Sequence, residues 1–165
     1  MLGSEFGEHK QNIFQENIVR PNFQGIKSFN GNIFPNGLLL DTASNSLLAC
    51  DDGLDNKGSV FQYSLSSGKL IKAYIHLQIQ NVYSCVQFCR IVFFGGQNGC
   101  VRAINLDTRQ IWGALIPTAV SSVFSLEVFP IQNRVFVAVV GTIPDYSNQK
   151  TDFLDVTALV TPFNC

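Results

Sequence analysis

The densest group of side chains that could do chemistry lies between residues 51 and 56. Asp51, Asp52, Asp55 and Asn56 place three carboxylates and one amide within six residues, and closely spaced oxygen ligands can bind Ca²⁺. The spacing differs from that of an EF-hand loop, and Asp and Asn also favour turns for reasons unrelated to metal. The sequence therefore favours a solvated hairpin turn, with calcium binding as the alternative.

Histidine and cysteine offer little further chemistry. His9 and His76 are the only histidines. Cys85 and Cys89 have the spacing of one half of a zinc finger, but no second Cys or His pair follows at the required distance. We interpret Cys85, Cys89 and Cys100 as small apolar residues on strands.

Motifs for nucleophilic and phosphate chemistry are also missing from the sequence. It has no Gly-x-Ser-x-Gly elbow, and the glycine-rich residues 95–99 lack the Lys and Ser/Thr of a phosphate-binding loop. The sequence therefore predicts no catalytic residue, no metal and no cofactor.

The composition indicates that the elements carrying these residues form one ordered domain. The chain has 165 residues, of which 46% are hydrophobic and 14% charged, and a net charge of -1. These values exclude extended disorder and binding to nucleic acid or anionic membranes by charge alone. Residues 1–6 are interpreted as a cloning remnant, because Gly-Ser-Glu-Phe is the peptide that two adjacent cloning sites would encode.

The same features favour an intracellular protein. No secretory hydrophobic segment is found near the start, no Asn-x-Ser/Thr acceptor occurs, and the five cysteines are odd in number and unevenly spaced. We therefore expect localisation in the cytoplasm or the nucleus.

An internal repeat with a period of 41 residues is the strongest signal in the sequence. Two separate stretches share this shift, which makes chance agreement an unsatisfactory explanation. In the first stretch Gly58, Val60, Leu65 and Leu70 fall on Gly99, Val101, Leu106 and Ile111, and in the second Val82, Ser84 and Phe88 fall on Val123, Ser125 and Phe129.

Each repeat reads as a four-stranded antiparallel meander. Short runs rich in Val, Ile, Phe and Tyr alternate with Gly, Asn and Asp, which is typical of strands and tight turns. The middle unit predicts strands over residues 82–88, 91–94, 101–106 and 111–115. We predict blades over 36–76, 77–117 and 118–165, an N-terminal extension or partial blade over 7–35, a polar insertion over 144–150, and a last strand over 153–160.

The repeat resembles that of WD40 proteins. His76 precedes the apolar strand 82–88, Asp52-Gly53 and Asn98-Gly99 occupy a turn, and Tyr63-Ser64-Leu65 stands where Trp-Asp-Leu is frequent in that family. The resemblance implies an all-β fold of β-propeller blades with four antiparallel strands each. The family's bracing set of His, Ser/Thr, Trp and Asp is incomplete here, so we expect packing to hold the blades together.

About three blades are fewer than a closed propeller usually has. The end faces of such a stack would be apolar and uncovered. We therefore expect an incomplete ring, or one that a protein partner or a second copy completes, with no membrane partner and with nucleic acid disfavoured.

The resemblance implies a non-enzymatic scaffold for protein interactions, as a segment or subunit of a larger intracellular complex. Loops on rigid sheets are the places to expect contacts. The candidate contact residues are Asp51, Asp52, Asp55, Gln97, Asn98, Asp145 and Tyr146. Two alternatives stay open: an enzyme propeller of the quinoprotein or hydrolase type, since residues 107–112 resemble a quinoprotein turn, and an RNA-associated propeller subunit.

Overall fold

The computed structural model describes residues 35–51, 58–75, 77–144 and 148–161, which form three antiparallel β-sheets. The first sheet contains β1 (Pro35–Asp41), β2 (Ser46–Asp51), β3 (Ser59–Ser64) and β4 (Leu70–Tyr74). The second contains β5 (Val82–Phe88), β6 (Ile91–Gly96), β7 (Cys100–Asn105) and β8 (Gln110–Pro117). The third contains β9 (Ser122–Ile131), β10 (Arg134–Thr142) and β11 (Gln149–Asp155), and a short helix, α1 (Thr157–Val160), follows it.

Each sheet is a meander in which strands adjacent in sequence pair with one another. Two of the turns place glycine where φ is positive, which glycine adopts without steric cost: Gly68 has φ 66° and Gly99 has φ 64°. The angle at Gly99 confirms the turn predicted at Asn98-Gly99. The strands predicted in the middle unit agree with β5 to β8 to within two residues.

The end of the chain differs from the prediction. A strand over residues 153–160 was expected, but β11 already begins at Gln149, which pairs with Thr142 of β10. The last two residues of the polar insertion predicted at 144–150 therefore belong to β11. The strand ends at Asp155, because its carboxylate accepts hydrogen bonds from the amide and hydroxyl of Thr157 and so favours a turn into α1.

The second sheet lies between the other two, and an apolar core fills each of the two junctions. Val92, Phe94 and Ile104 of the second sheet pack with Leu48 and Val60 of the first. On the opposite face of the second sheet, a different set of residues packs against the third sheet: Ile91, Phe93, Val101 and Ala103 contact a group that includes Val135, Val137 and Val139. Because successive side chains along β6 point to opposite faces of the sheet, this one strand contributes to both cores.

The sequence repeat has a direct structural counterpart at the glycines. A Cβ added at Gly58 would lie 2.4 Å from the carbonyl oxygen of Ile79, and one added at Gly99 would lie 2.0 Å from that of Val120. Gly58 and Gly99 are 41 residues apart, and so are Ile79 and Val120, so the same loop contact occurs twice. Only glycine permits such close approach of two backbones.

These features confirm an all-β fold and an incomplete propeller: the residues that the structure describes form stacked antiparallel meanders with almost no helix and no closed barrel. In the described residues the third sheet has three strands, where the other two have four. The described part of the chain includes no helix of a length and hydropathy that could span a membrane.

Candidate interaction surface

The loops of the three sheets gather at two opposite edges of the stack. Because the strands alternate in direction, the connections β2–β3, β6–β7 and β10–β11 leave at the same edge as the connections between sheets. We call this edge the upper rim; among the described residues it comprises 58, 75, 77–81, 97–99, 118–121, 143–144 and 148. The opposite edge, the lower rim, comprises residues 42–45, 65–69, 89–90, 106–109 and 132–133.

Hydrogen bonds join neighbouring loops of the upper rim. The side-chain amide of Asn98 donates a hydrogen bond to the main-chain oxygen of Gln78 at 2.9 Å. The side-chain amide of Asn81 donates one to the side-chain oxygen of Gln97 at 2.6 Å. The hydroxyl of Ser122 donates to the main-chain oxygen of Gln97 at 3.1 Å. Gln97 and Asn98, both predicted contact residues, therefore also tie the loops of three successive connections into one surface.

Asp51 is buried, whereas a residue that contacts a partner at the surface must be exposed. It ends β2, and only 3% of it is exposed. Burial, together with the negative charge of Asp51, raises the pKa of Tyr63. Asp51 is therefore buried at the end of β2, beneath the upper rim.

The other predicted contact residues lie outside the described part of the chain. They are Asp52 and Asp55 of the β2–β3 connection and Asp145 and Tyr146 of the β10–β11 connection. His76 lies outside it as well. The connections that carry these residues nevertheless leave from described strands at the upper rim.

Two of the described cysteines have thiols whose pKa is raised. Hydrogen bonding to Cys85, together with burial, raises the pKa of the Cys50 thiol well above its usual range, and burial raises that of Cys100. Cys50, Cys85 and Cys100 are free thiols. The interpretation of Cys89 as a small apolar strand residue is wrong, because Cys89 lies in the β5–β6 turn and is disulfide-bonded.

Across the described residues, no three His, Cys, Asp or Glu side chains converge closely enough to hold a metal ion. Residues 52–57, which hold the remaining carboxylates of the acidic cluster, lie outside the described part of the chain.

A buried ion pair joins the first and second sheets at the lower rim, and sequence reasoning missed it. Asp41 is 1% exposed and accepts hydrogen bonds from Arg90 at 2.8 Å, from Gln87 at 3.3 Å and from Ser44. Burial alone would raise the pKa of Asp41, but the bonds from Ser44, Arg90 and Gln87 hold it below its ordinary value. Arg90 also pairs with the exposed Asp107 at 2.8 Å.

The polar contacts continue from this ion pair into the first sheet. The hydroxyl groups of Ser44 and Ser46 lie 2.7 Å apart, the amide of Gln62 donates to Ser46, and the hydroxyl of Tyr74 donates to Gln62. Gln62 and Ser46 are buried. A chain of hydrogen bonds therefore crosses the strands of the first sheet, in addition to the packing that is expected to hold the blades.

No protein-family model matches the chain, and a search of curated proteins found no match. Sqt1 of Saccharomyces cerevisiae is similar in structure, with a TM-score of 0.59 and 14% identity over 74% of this chain. The match spans 31% of Sqt1, so this chain corresponds to about a third of that structure.

Two further solved structures are similar. The computationally designed Ika4 protein has a TM-score of 0.50 and 14% identity, over 78% of this chain and 68% of Ika4. The WD40 beta propeller domain of Doa1 has a TM-score of 0.48 and 15% identity, over 67% of this chain and 33% of that domain. At such low identity a likeness concerns the fold alone. The sheet order and the likeness to Sqt1 agree with the expectation from the sequence: the chain folds as a WD40-like partial β-propeller.

Proposed function

We propose that this protein is a non-enzymatic scaffold for protein interactions and that its upper rim binds a peptide segment of a partner. One observation carries the proposal: at one edge of the stack the β6–β7 loop is hydrogen-bonded to Gln78 and Asn81 of the preceding connection and to Ser122 at the start of β9. Loops held on a rigid sheet form a preorganised surface, which lowers the entropy cost of binding.

The contact residues that we propose on this rim are Gln97 and Asn98, with Asp52, Asp55, Asp145 and Tyr146 from the adjoining connections. A tyrosine within a polar loop is a common source of binding energy, because it contributes a large apolar area and few rotatable bonds. Asp51 supports the rim from below through its burial next to Tyr63.

The chemistry of the described side chains supports a binding role. The pKa of Cys50 is raised well above its usual range, which disfavours a thiolate nucleophile. Asp41, the most buried carboxylate of the described residues, is held by three side chains. WD40-like propellers in general serve as interaction platforms, and we extend that role to this chain.

We further propose that the chain acts within a larger intracellular complex, in the cytoplasm or the nucleus. The free thiols of Cys50, Cys85 and Cys100 support a reducing compartment, whereas the disulfide at Cys89 is the observation against it. The blade boundaries at 36–76, 77–117 and 118–165 also stay a proposal.

A peptide selection tests rim binding. The full chain is immobilised and used to select ligands from a random peptide library, and the affinity of the selected peptides is then measured for rim variants. We expect the double variant Asp145→Ala/Tyr146→Ala to weaken binding by at least about 30-fold, which corresponds to the loss of one contact of hot-spot size, about 2 kcal/mol.

The matched control lies on the opposite edge of the same sheet. Gln132→Ala/Asn133→Ala changes two exposed residues of the β9–β10 turn at the lower rim and should leave the affinity unchanged. Equal losses in both variants would contradict a rim site. Saturable binding of a single-stranded RNA probe at physiological salt, without peptide binding, would favour the RNA-associated alternative.

A further inference from the structure

The β5–β6 turn at the lower rim carries a disulfide-bonded cysteine in an unusual backbone conformation. Phe88 pairs with Ile91, so Cys89 and Arg90 form a two-residue turn. Cys89 has φ 52°, and a positive φ at the first position of such a turn favours glycine. Cysteine therefore occupies this position at a conformational cost, and its covalent bond gives a reason for a cysteine there.

The partner of Cys89 follows by elimination. The chain has five cysteines, and three of them, Cys50, Cys85 and Cys100, are free thiols. The structure contains one chain, so the disulfide of Cys89 is formed within it. Cys165, which lies outside the described residues, is the cysteine that remains.

The fold brings the end of α1 close to Cys89. Phe88, which precedes Cys89, and Thr161, which follows α1, line one cleft of about 350 Å³ at the lower rim. Cys165 comes four residues after Thr161, and four residues span up to about 14 Å when extended. The chain after α1 is therefore long enough to reach the β5–β6 turn on the other side of the cleft.

We infer that Cys89 and Cys165 form a disulfide that ties the chain after α1 to the β5–β6 turn, and that this bond is a redox-sensitive restraint on α1. The helix has only four residues, so a short segment with few contacts of its own responds more strongly to the loss of a restraint than the sheets do. The inference goes beyond rim binding, since it concerns the lower rim.

The presence of free thiols beside one disulfide supports redox sensitivity. In reducing compartments the disulfides that do form are usually transient or redox-sensing. Cys89 is partly exposed, so a small thiol can reach its sulfur. The regulatory role rests on the proposed intracellular location, whereas the pairing of Cys89 with Cys165 does not.

Glutathione is the reductant of the proposed reaction. The thiolate of one glutathione attacks a sulfur of the disulfide, which forms a mixed disulfide with that cysteine and releases the other cysteine as a thiolate. A second glutathione attacks the glutathione sulfur of the mixed disulfide, which releases the remaining cysteine and forms oxidised glutathione. The protein gains two electrons and two protons, and two glutathione molecules lose them. Oxidised glutathione drives the reverse reaction.

Peptide mapping of the full chain tests the pairing. The chain is folded in a mixture of reduced and oxidised glutathione, its free thiols are alkylated, and it is digested with trypsin and chymotrypsin in the absence of reductant. Chymotrypsin cleaves after Phe88 and so separates Cys85 from Cys89. We expect mass spectrometry to find a fragment that joins Cys89 to Cys165, with Cys85 alkylated. An alkylated Cys89, or a bond from Cys89 to any other cysteine, would overturn the inference.

Hydrogen exchange tests the restraint on α1. Reduction of the wild-type chain by glutathione should speed exchange at the amides of residues 159–161 by at least about 10-fold, with little change in β2. Cys165→Ser should show the faster exchange without any reductant, and glutathione should then have no further effect. Cys89→Asn should behave in the same way, because asparagine tolerates the left-handed conformation of this position.

Cys100→Ser is the matched control, since it removes a free thiol of the second sheet and should keep the wild-type response to glutathione. Exchange in α1 that does not change on reduction would contradict the restraint. A disulfide that survives the ratio of reduced to oxidised glutathione found in the cytoplasm would contradict the redox-sensitive role. The peptides selected on the upper rim should bind equally in both redox states, so either failure is distinguishable from a failure of rim binding.

Discussion

Gly99 shows how one residue allows neighbouring loops to touch. It has φ 64°, and a Cβ would lie 2.0 Å from the main-chain oxygen of Val120. We expect Gly99→Ala to lower the free energy of unfolding by about 3 kcal/mol, because strain in the left-handed region adds to a clash with the backbone. Urea denaturation measures this change.

Gly113 provides the matched control for Gly99. Its φ is 68°, but its nearest contact is the end of the flexible Leu159 side chain, at 2.8 Å from the added Cβ. Gly113→Ala should cost only about 1 to 2 kcal/mol, which is the cost of the left-handed conformation alone. Equal costs at the two glycines would show that the loop contact at Val120 contributes nothing.

Asp41 makes the stability of the protein depend on acid pH. Its pKa is lowered in the folded state, so the unfolded chain binds the proton more readily. The stabilisation is therefore complete above about pH 4, the ordinary aspartate pKa, and is lost as the pH falls through the lower folded value. We expect Asp41→Asn to cost about 2 kcal/mol at pH 7 and progressively less on acidification, in denaturation curves measured at several pH values.

Asp107 is the control for the Asp41 ion pair. It contacts the same arginine, Arg90, but its side chain is 57% exposed, and exposed ion pairs contribute little. Asp107→Asn should therefore cost less than about 1 kcal/mol at pH 7. If the two variants lost the same amount of stability, burial of the carboxylate would not be what makes the Asp41 pair important.

Among the elements, α1 depends on a tertiary contact for its position. It has only four residues and no side-chain cap at its start, and so short a helix is unstable alone. The indole of Trp112 on β8 donates a hydrogen bond of 3.0 Å to the main-chain oxygen of Leu159. This bond fixes the helix against the outer strand of the second sheet.

Replacement of this indole by a phenyl ring tests the docking of α1. We expect Trp112→Phe to speed hydrogen exchange at the amides of Leu159, Val160 and Thr161 about 5-fold, with little change in β6. The loss is local because the helix contributes few of the contacts in the core. Unchanged exchange in α1 would contradict the role of the indole, and equally faster exchange in β6 would indicate a global effect.

At the scale of the whole molecule, the second sheet couples the other two. Phe93 and Phe94 are adjacent on β6 and fully buried, yet Phe93 packs towards the third sheet and Phe94 towards the first. In a stack with only nearest-neighbour contacts, the effect of a cavity spreads to the adjacent sheet first. The two residues therefore allow each junction to be loosened separately.

We expect Phe93→Ala and Phe94→Ala each to lower stability by about 3 to 5 kcal/mol. Hydrogen exchange should then increase more in β9 and β10 for Phe93→Ala, and more in β2 and β3 for Phe94→Ala. The two variants serve as controls for each other. Identical exchange patterns would show that the three sheets open only as one unit.

Much of the fold could be predicted because its signals are local. Runs of β-branched and aromatic residues separated by Gly and Asn indicate strands and turns, and a shift of 41 residues indicates repetition. The end of the chain was less predictable, since the pairing of Gln149 with Thr142 and the turn at Asp155 depend on polar residues with weak strand preference. The candidate loops were found by their composition, but the burial of Asp51 depends on surroundings that no local pattern reveals.

The sequence by itself determined that this protein is a stack of repeated β-meanders, because alternation, turn residues and period are properties of neighbours along the chain. Only the tertiary structure decided which faces are covered, that Asp41 and Arg90 meet across two sheets, and that the glycines of one loop admit the backbone of another. These contacts join residues more than 20 positions apart, so they exist only after the sheets have stacked. The exposed Phe153 and the buried Phe93 look alike in the sequence, and they differ because, within the described part of the chain, only the sheet of Phe93 has a neighbouring sheet on that side.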